Sequence, residues 1–217
     1  RHRMWYQRHI QGKEAPWSKS PKLSTNRWCN VYRELDRGTM HFYSLVMAMN
    51  EKNNKPVLRL QWTRQVLWLS YAYRQVNRRQ TFDEIGLPDN TDTKPFLKKM
   101  RQIQNEKRPF FTHVHQPCSY NSYEKSLKTA INDKLIDMVA AEICSEKTTL
   151  TSVGKSLRKL PGIGPFYAWQ IMCDLQENGC IDFDDEFCIL GPGAKSKKHW
   201  FCSVLLTRCR WSQDRFS

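Results

Sequence analysis

The sequence contains no C-x-x-C pair, no run of about 18 apolar residues and few acidic residues for its size. The first absence argues against a zinc ribbon. The second argues against a membrane-spanning helix. We therefore expect the eight cysteines to be free thiols in a reducing, intracellular compartment, and we expect no bound metal or cofactor.

The shortage of acidic residues leaves a large positive charge. The chain has 35 lysines and arginines against 21 aspartates and glutamates, which gives a formal net charge of +14. This excess is larger than solubility needs and indicates a polyanionic partner, with a membrane surface as the competing explanation. Because 40% of the residues are hydrophobic and eight are tryptophan, the 217 residues are expected to fold around one core or as two helical lobes.

The segment from Leu160 to Ala168, L-P-G-I-G-P-F-Y-A, predicts a tight turn between two helices. Pro165 suits the first position of the second helix, where its missing N–H costs nothing. Gly162 and Gly164 let the backbone turn and leave amides free at the N-terminus of that helix, which favours binding of a nucleic-acid phosphate. The alternative is an ordinary helical corner with a glycine cap. Helical spacing predicts buried faces formed by Val153, Leu157 and Leu160 before the turn and by Ala168, Ile171, Met172 and Leu175 after it.

A short acidic and aromatic stretch, I-D-F-D-D-E-F, follows at residues 181–187. With the turn before it, this stretch resembles the helix-hairpin-helix DNA glycosylase superfamily, whose catalytic aspartate follows the hairpin at about this distance. The resemblance implies that Asp184 is the catalytic carboxylate, with Asp185 the candidate one residue away. Phe166 stands where bifunctional members carry a lysine, which argues against a Schiff-base lyase. A carboxylate could still stabilise an oxocarbenium-like sugar or position water, and the structural alternative is a solvated turn or helix cap.

Two predicted helices, over about residues 27–50 with a possible break at Gly38 and over about 60–79, each place an asparagine beside arginines. Their motifs read N-x-x-R-x-x-D-R and R-x-x-N-R-x-x-T-F. Such arginines can bind phosphate through forked hydrogen bonds, and an asparagine amide can read the edge of a flipped base. The alternatives are a buried ion pair for Arg33 or Arg74 and a helix-end cap for Asn77. The candidate recognition residues are Asn30, Arg33, Asp36, Arg37, Arg74, Asn77 and Arg78.

Together with L-P-G-I-G, the Asp184 region and a later G-P-G-A-K turn, these motifs resemble the alpha-glutamyl/putrescinyl thymine pyrophosphorylase-like family over about residues 27–200. The same helical module resembles one attached to 5-hydroxymethyl-deoxyuridine DNA kinases. The resemblance implies action on a modified pyrimidine in DNA. It implies either cleavage of the N-glycosidic bond or replacement of a pyrophosphate on the 5-hydroxymethyl base by an amine. A DNA-binding module without chemistry is the third alternative.

The expected fold is mainly α and two-lobed, similar to a DNA glycosylase, with the helix-hairpin-helix at about 151–176 and a basic, aromatic arm over residues 1–26. Residues 110–115 are the most strand-like stretch. We expect a monomer that binds duplex DNA with a flipped modified base, in the nucleus or nucleoid and not at a membrane. The glycines of the turn and the basic residues Lys195, Lys197 and Lys198 are expected to contact the DNA backbone.

Overall fold

The computed structural model describes residues 2–21, 36–52, 57–112, 119–145 and 148–182. Across those ranges the regular structure is entirely α-helical, which confirms the expectation of a mainly α protein. The helices described are α1 (His2–His9), α2 (Arg37–Lys52), α3 (Arg59–Val76), α4 (Arg79–Ile85), α5 (Lys94–Asn105), α6 (Tyr120–Asn132), α7 (Leu135–Ile143), α8 (Leu150–Leu157) and α9 (Pro165–Glu177). The candidate residues Asn30, Arg33, Asp184, Asp185, Lys195, Lys197 and Lys198 lie outside the described residues.

The chain divides into two compact units, residues 1–51 and residues 52–217. In the first unit, α2 begins at Arg37 because Asp36 caps it. One carboxylate oxygen of Asp36 accepts hydrogen bonds from the backbone N–H groups of Gly38 (3.0 Å) and Thr39 (3.1 Å). Gly38 lies inside the first turn of α2, so the helix begins one residue before the possible break predicted there. The arm boundary expected at residue 26 falls within this unit.

The second unit is built around α3, which packs against α7 and α9. Helix α8 packs against both of those helices, and α6 joins the group through α7. Every residue of α3 from Val66 to Val76 is buried, so this half of the helix is covered on all sides, as expected of a core helix. Its polar aromatic side chains are satisfied there, since the Trp68 indole N–H donates to the Pro88 carbonyl at 2.8 Å.

A buried ion pair joins α3 to α9. Arg74 is 2% exposed and Asp174 is fully buried. The Arg74 guanidinium donates from Nε to Asp174 Oδ2 at 2.7 Å and from Nη2 to Asp174 Oδ1 at 2.6 Å, which is the bidentate geometry that suits arginine and carboxylate. The Ser70 hydroxyl, one turn earlier on α3, donates to Asp174 Oδ2 as well. Two charges this deep are tolerated because each satisfies the other.

The turn between α8 and α9 contains two glycines, of which one lies against buried side chains and the other faces open space. Gly162 has φ +78°, and a Cβ there would lie 2.8 Å from Gln75 Oε1 on α3 and 3.2 Å from Ser126 Oγ on α6. Gly164 is the N-cap of α9, with φ −87°, and a Cβ there would meet open space. Pro165 stands at the first helical position, as predicted. Leu160 was expected on the first helix, but α8 ends at Leu157, and Leu160 is buried from within the turn.

Breaking the buried ion pair is expected to destabilise the chain strongly. Asp174→Asn should lower the free energy of unfolding by about 3–5 kcal/mol, because the Arg74 charge stays buried without its counter-charge. The control is Asp83→Asn, which breaks the exposed Arg79–Asp83 pair on α4 and should cost less than about 0.5 kcal/mol. Urea unfolding followed by circular dichroism measures both, and equal losses would contradict a structural role for the buried pair.

The two glycines of the turn are expected to respond differently to alanine. Gly162→Ala should cost about 1–2 kcal/mol through the positive φ, with a further loss from the contact with Gln75. Gly164→Ala should cost only about 0.5 kcal/mol, because its φ is ordinary and its surroundings are open, so that only the preference of an N-cap for glycine over alanine is lost. Thermal melting of the two variants side by side tests this, and a large loss in Gly164→Ala would refute the assignment.

Candidate nucleic-acid interface

The end of α3 carries three of the residues that the motif analysis selected, but they do not share one continuous helix. Helix α3 stops at Val76, and Asn77 takes a left-handed conformation (φ 46°, ψ 37°), with its N–H bonded to the Tyr73 carbonyl at 2.7 Å. Arg78 is extended (φ −130°) and precedes α4. The prediction of a helix through residue 79 is therefore wrong at this point, because asparagine is one of the few residues that tolerate the left-handed region.

The Asn77 side chain has an unused hydrogen-bond acceptor. Its Oδ1 atom is buried and has no hydrogen-bond partner within the part of the chain that the structure describes. A buried carbonyl oxygen without a partner costs about 1–3 kcal/mol relative to a satisfied one. The predicted helix-end cap accounts for the backbone of Asn77 but not for this atom. Because the atom is closed to solvent, a donor from a bound molecule would reach it only after the side chain turns outward.

A chain of hydrogen bonds fixes Arg78 beside residues 110–112. Arg78 Nη1 donates to the Thr81 hydroxyl at 3.1 Å, and that hydroxyl donates to the Phe110 carbonyl at 2.6 Å. The Thr112 N–H donates to the Val76 carbonyl at 3.0 Å. Thr81 is fully buried, whereas Arg78 is half-buried at the edge of the unit. This arrangement explains why a threonine follows the arginine three residues later in the motif.

Aromatic side chains lie beside Arg78. The rings of Phe111 and Tyr120 are half-buried, with centroids 5.2 Å apart and an interplanar angle of 66°. Burial raises the pKa of the Tyr120 phenol, and the positive charge of Arg78 partly opposes that rise. We define the candidate interface as Asn77, Arg78, Phe111 and Tyr120. It combines an amide, a guanidinium and two aromatic rings, which are the groups that recognise unstacked bases and their phosphates.

The remaining described candidates lie elsewhere. Arg74 is committed to Asp174, so the predicted alternative of a buried ion pair holds for this arginine, and its recognition role stays a prediction. Gly162 and Gly164 lie in the turn before α9. Asp36 caps α2, and Arg37 is exposed in its first turn. Because these two belong to the first unit, their recognition role also stays a prediction.

Motif reasoning missed Asp174, Phe111 and Tyr120. Asp174 stands among buried apolar residues of α9, and a single charge on an apolar helix face signals a buried partner. The sequence predicts an extended stretch over residues 110–115, which includes Phe111. Residues 110–112 form a loop that hydrogen bonds join to α3 and α4. Tyr120 carries no such signal in the sequence, because only the tertiary structure brings it near Arg78.

The described ranges contain no group of three or more histidine, cysteine or acidic side chains that could hold a metal ion. Cys144, Cys173 and Cys180 carry thiols that are not part of a disulfide there, as expected for those three. Burial raises the pKa of Cys180 to about 12, so its thiol stays protonated. None of the helices described is both long and apolar enough to cross a membrane.

Comparison with known proteins agrees with part of the resemblance. Residues 1–201 match the family model described as the helical domain of 5-hmdU DNA kinase. The chain belongs to this family. It is also similar to a 5-hmdU DNA kinase of Bacillus phage SP10, with 29% identity over 219 residues that cover 90% of this chain and 33% of that protein. The helical domain thus spans about a third of the length of that relative.

No solved protein structure matches this helical domain. The resemblance to the module attached to 5-hydroxymethyl-deoxyuridine DNA kinases is confirmed by the family match. The two comparisons that do match do not support the pyrophosphorylase-like family or a relationship to DNA glycosylases.

The stability of Asn77 variants should separate the backbone role of this residue from that of its side chain. Asn77→Ala should be about 1 kcal/mol less stable than Asn77→Gly, because both variants lose the unsatisfied oxygen but alanine is strained in the left-handed region. Asn77→Gly should unfold at or above the denaturant concentration of the parent, because glycine accepts this conformation and the unsatisfied oxygen is removed. Urea midpoints measure both variants, and a large loss in Asn77→Gly would show that the side chain holds the fold.

Proposed function

We propose that this helical domain binds DNA that carries 5-hydroxymethyluracil and presents that base for phosphorylation of its hydroxymethyl group. The family match over residues 1–201 carries the proposal. The net charge of +14 supports a DNA partner, because a cationic surface binds the phosphate backbone by releasing its counterions. The proposal assigns recognition of DNA to this chain and does not assign it the transfer of the phosphoryl group.

The candidate interface suggests how the base is read. A uracil ring offers an N3–H donor beside two carbonyl acceptors. We propose that the Asn77 side chain turns outward on binding, so that Oδ1 accepts from N3–H and Nδ2 donates to a neighbouring carbonyl. The Watson–Crick edge is free only when the base leaves the stack, so this contact requires a flipped base. Phe111 and Tyr120 provide aromatic surface for the unstacked ring.

Arg78 is proposed to bind the phosphate next to the flipped nucleotide. Its Nη1 is held by Thr81, so the guanidinium keeps a defined direction while it remains half-buried. An arginine that is fixed at one nitrogen can still offer its other N–H groups to a phosphate. Lysine would keep the charge and lose the bond that directs it.

The test is the base preference of Asn77→Gly. Fluorescence anisotropy measures binding to duplexes that carry one thymine, 5-hydroxymethyluracil or 5-hydroxymethylcytosine at the same position. The parent should bind the 5-hydroxymethyluracil duplex more tightly than the 5-hydroxymethylcytosine duplex by roughly tenfold, the contribution of one well-placed amide contact to a base. Asn77→Gly should lose most of this ratio while it remains folded.

The matched control is Lys107→Gly, which also removes a side chain from a left-handed position, at φ 55°. The ratio of its affinities for the 5-hydroxymethyluracil and 5-hydroxymethylcytosine duplexes should equal that of the parent, even if the loss of one charge weakens binding to both. An unchanged ratio in Asn77→Gly would refute the role of this residue. Mass spectrometry of the oligonucleotides after incubation adds a second check, since loss of the base would favour cleavage of the N-glycosidic bond over presentation for phosphorylation.

A further inference from the structure

A basic groove runs between α5 and α6, on the surface of the second unit. It consists of two adjoining depressions of about 530 Å³ and 570 Å³, which share Arg101, Asn105, Glu124 and Lys128. Five cations and two carboxylates line the two depressions together, so the lining carries a net positive charge. The five cations are Lys94, Lys98, Arg101, Lys125 and Lys128.

Both carboxylates of the groove are already neutralised within the protein. Glu124 is 14% exposed and accepts from Arg101 Nε at 3.2 Å and from Lys128 Nζ at 2.6 Å. These two bonds lower the pKa of Glu124, so its carboxylate stays charged at neutral pH. Glu106 accepts from Arg108 Nε at 2.6 Å and from the Gln102 amide at 2.9 Å. Neither carboxylate is therefore a counter-charge for the remaining lysines.

Three lysines of the groove keep their charges available. Lys94, Lys98 and Lys125 are exposed, and none of them forms an ion pair among the residues that the structure describes. Lys94 and Lys98 are four residues apart on α5, so they lie on one face about 6 Å apart along the helix axis. Side-chain amides alternate with these cations along both walls, at Gln102, Asn105, Asn121 and Asn132. Lysines and amides that line one channel suit a chain of phosphates.

We propose that this groove holds the phosphate backbone of the DNA that the candidate interface engages, without regard to base sequence. The groove and the interface are adjacent in the chain, because Tyr120 of the interface is followed directly by Asn121 of the groove on α6. Lys94 to Asn105 span about 16 Å along α5, which is the axial length of roughly five nucleotides of one strand. Glu124 pairs with Arg101 and Lys128, so these two cations are partly withheld from phosphate. The inference rests on the proposed function only in that the chain binds DNA.

The experiment measures the salt dependence of binding to an unmodified duplex, again by fluorescence anisotropy. Lys98→Gln combined with Lys125→Gln should reduce the slope of log K against log [salt] by up to about 1.8, since each lost phosphate contact removes about 0.9. The control combines Lys107→Gln with Lys134→Gln, two exposed lysines that line neither depression. An equal change of slope in both double variants would overturn the proposal that the groove binds the phosphate backbone.

A third variant should strengthen binding, a result that a damaged fold cannot produce. Glu124→Gln removes a negative charge from the groove and frees Arg101 and Lys128 for phosphate, so affinity at low salt should rise by roughly threefold. Unchanged or weaker binding would contradict the proposal, as would a parent chain that does not bind unmodified DNA. A different result would count against the proposed function and not against the groove. In that result the parent binds the 5-hydroxymethyluracil and 5-hydroxymethylcytosine duplexes equally, while the double variants change the salt slope as expected.

Discussion

The pairing of Arg74 with Asp174 is the interaction on which the second unit depends most. It joins the core helix α3 to α9 at full burial, where each charge would be unstable without the other. Ser70 adds a hydrogen bond from the preceding turn of α3. The Tyr71 hydroxyl donates to the Pro161 carbonyl at 3.0 Å, so α3 also holds the turn that leads into α9. Because these contacts anchor α3, the position of its C-terminal end, and with it Asn77, is determined by the core.

Charges in this unit fall into two groups with different consequences. Arg74 and Asp174 satisfy each other inside the protein and contribute to folding, whereas Lys94, Lys98 and Lys125 lie exposed beside carboxylates that other cations already neutralise. A buried pair has no free charge to offer a ligand, while an exposed lysine keeps its attraction for a polyanion. Among the described charges, the exposed lysines therefore say more about a polyanionic partner than the buried pair does.

The unsatisfied oxygen of Asn77 is the structural feature on which the proposed base recognition depends. The chain belongs to the 5-hmdU DNA kinase helical-domain family, and under the proposed function a uracil-type ring carries the N–H donor that this oxygen lacks. Glycine and asparagine both cap a helix in the left-handed conformation, so the backbone of Asn77 does not distinguish a cap from a recognition residue. Its buried and unsatisfied oxygen is the feature that the cap leaves unexplained. Binding sites commonly retain such local instability because the ligand relieves it.

The sequence by itself determined the helical class, the buried face of α9, the position of Pro165 at its start and the helical module to which the chain belongs. These features follow from local periodicity, from proline geometry and from motifs that are short in sequence. The tertiary structure alone decided that α3 ends at Val76, that Arg74 pairs with a residue 100 positions away, and that α5 and α6 face each other across a basic groove. Contacts between distant segments depend on how the helices pack, and the sequence of one helix does not indicate which helix packs against it.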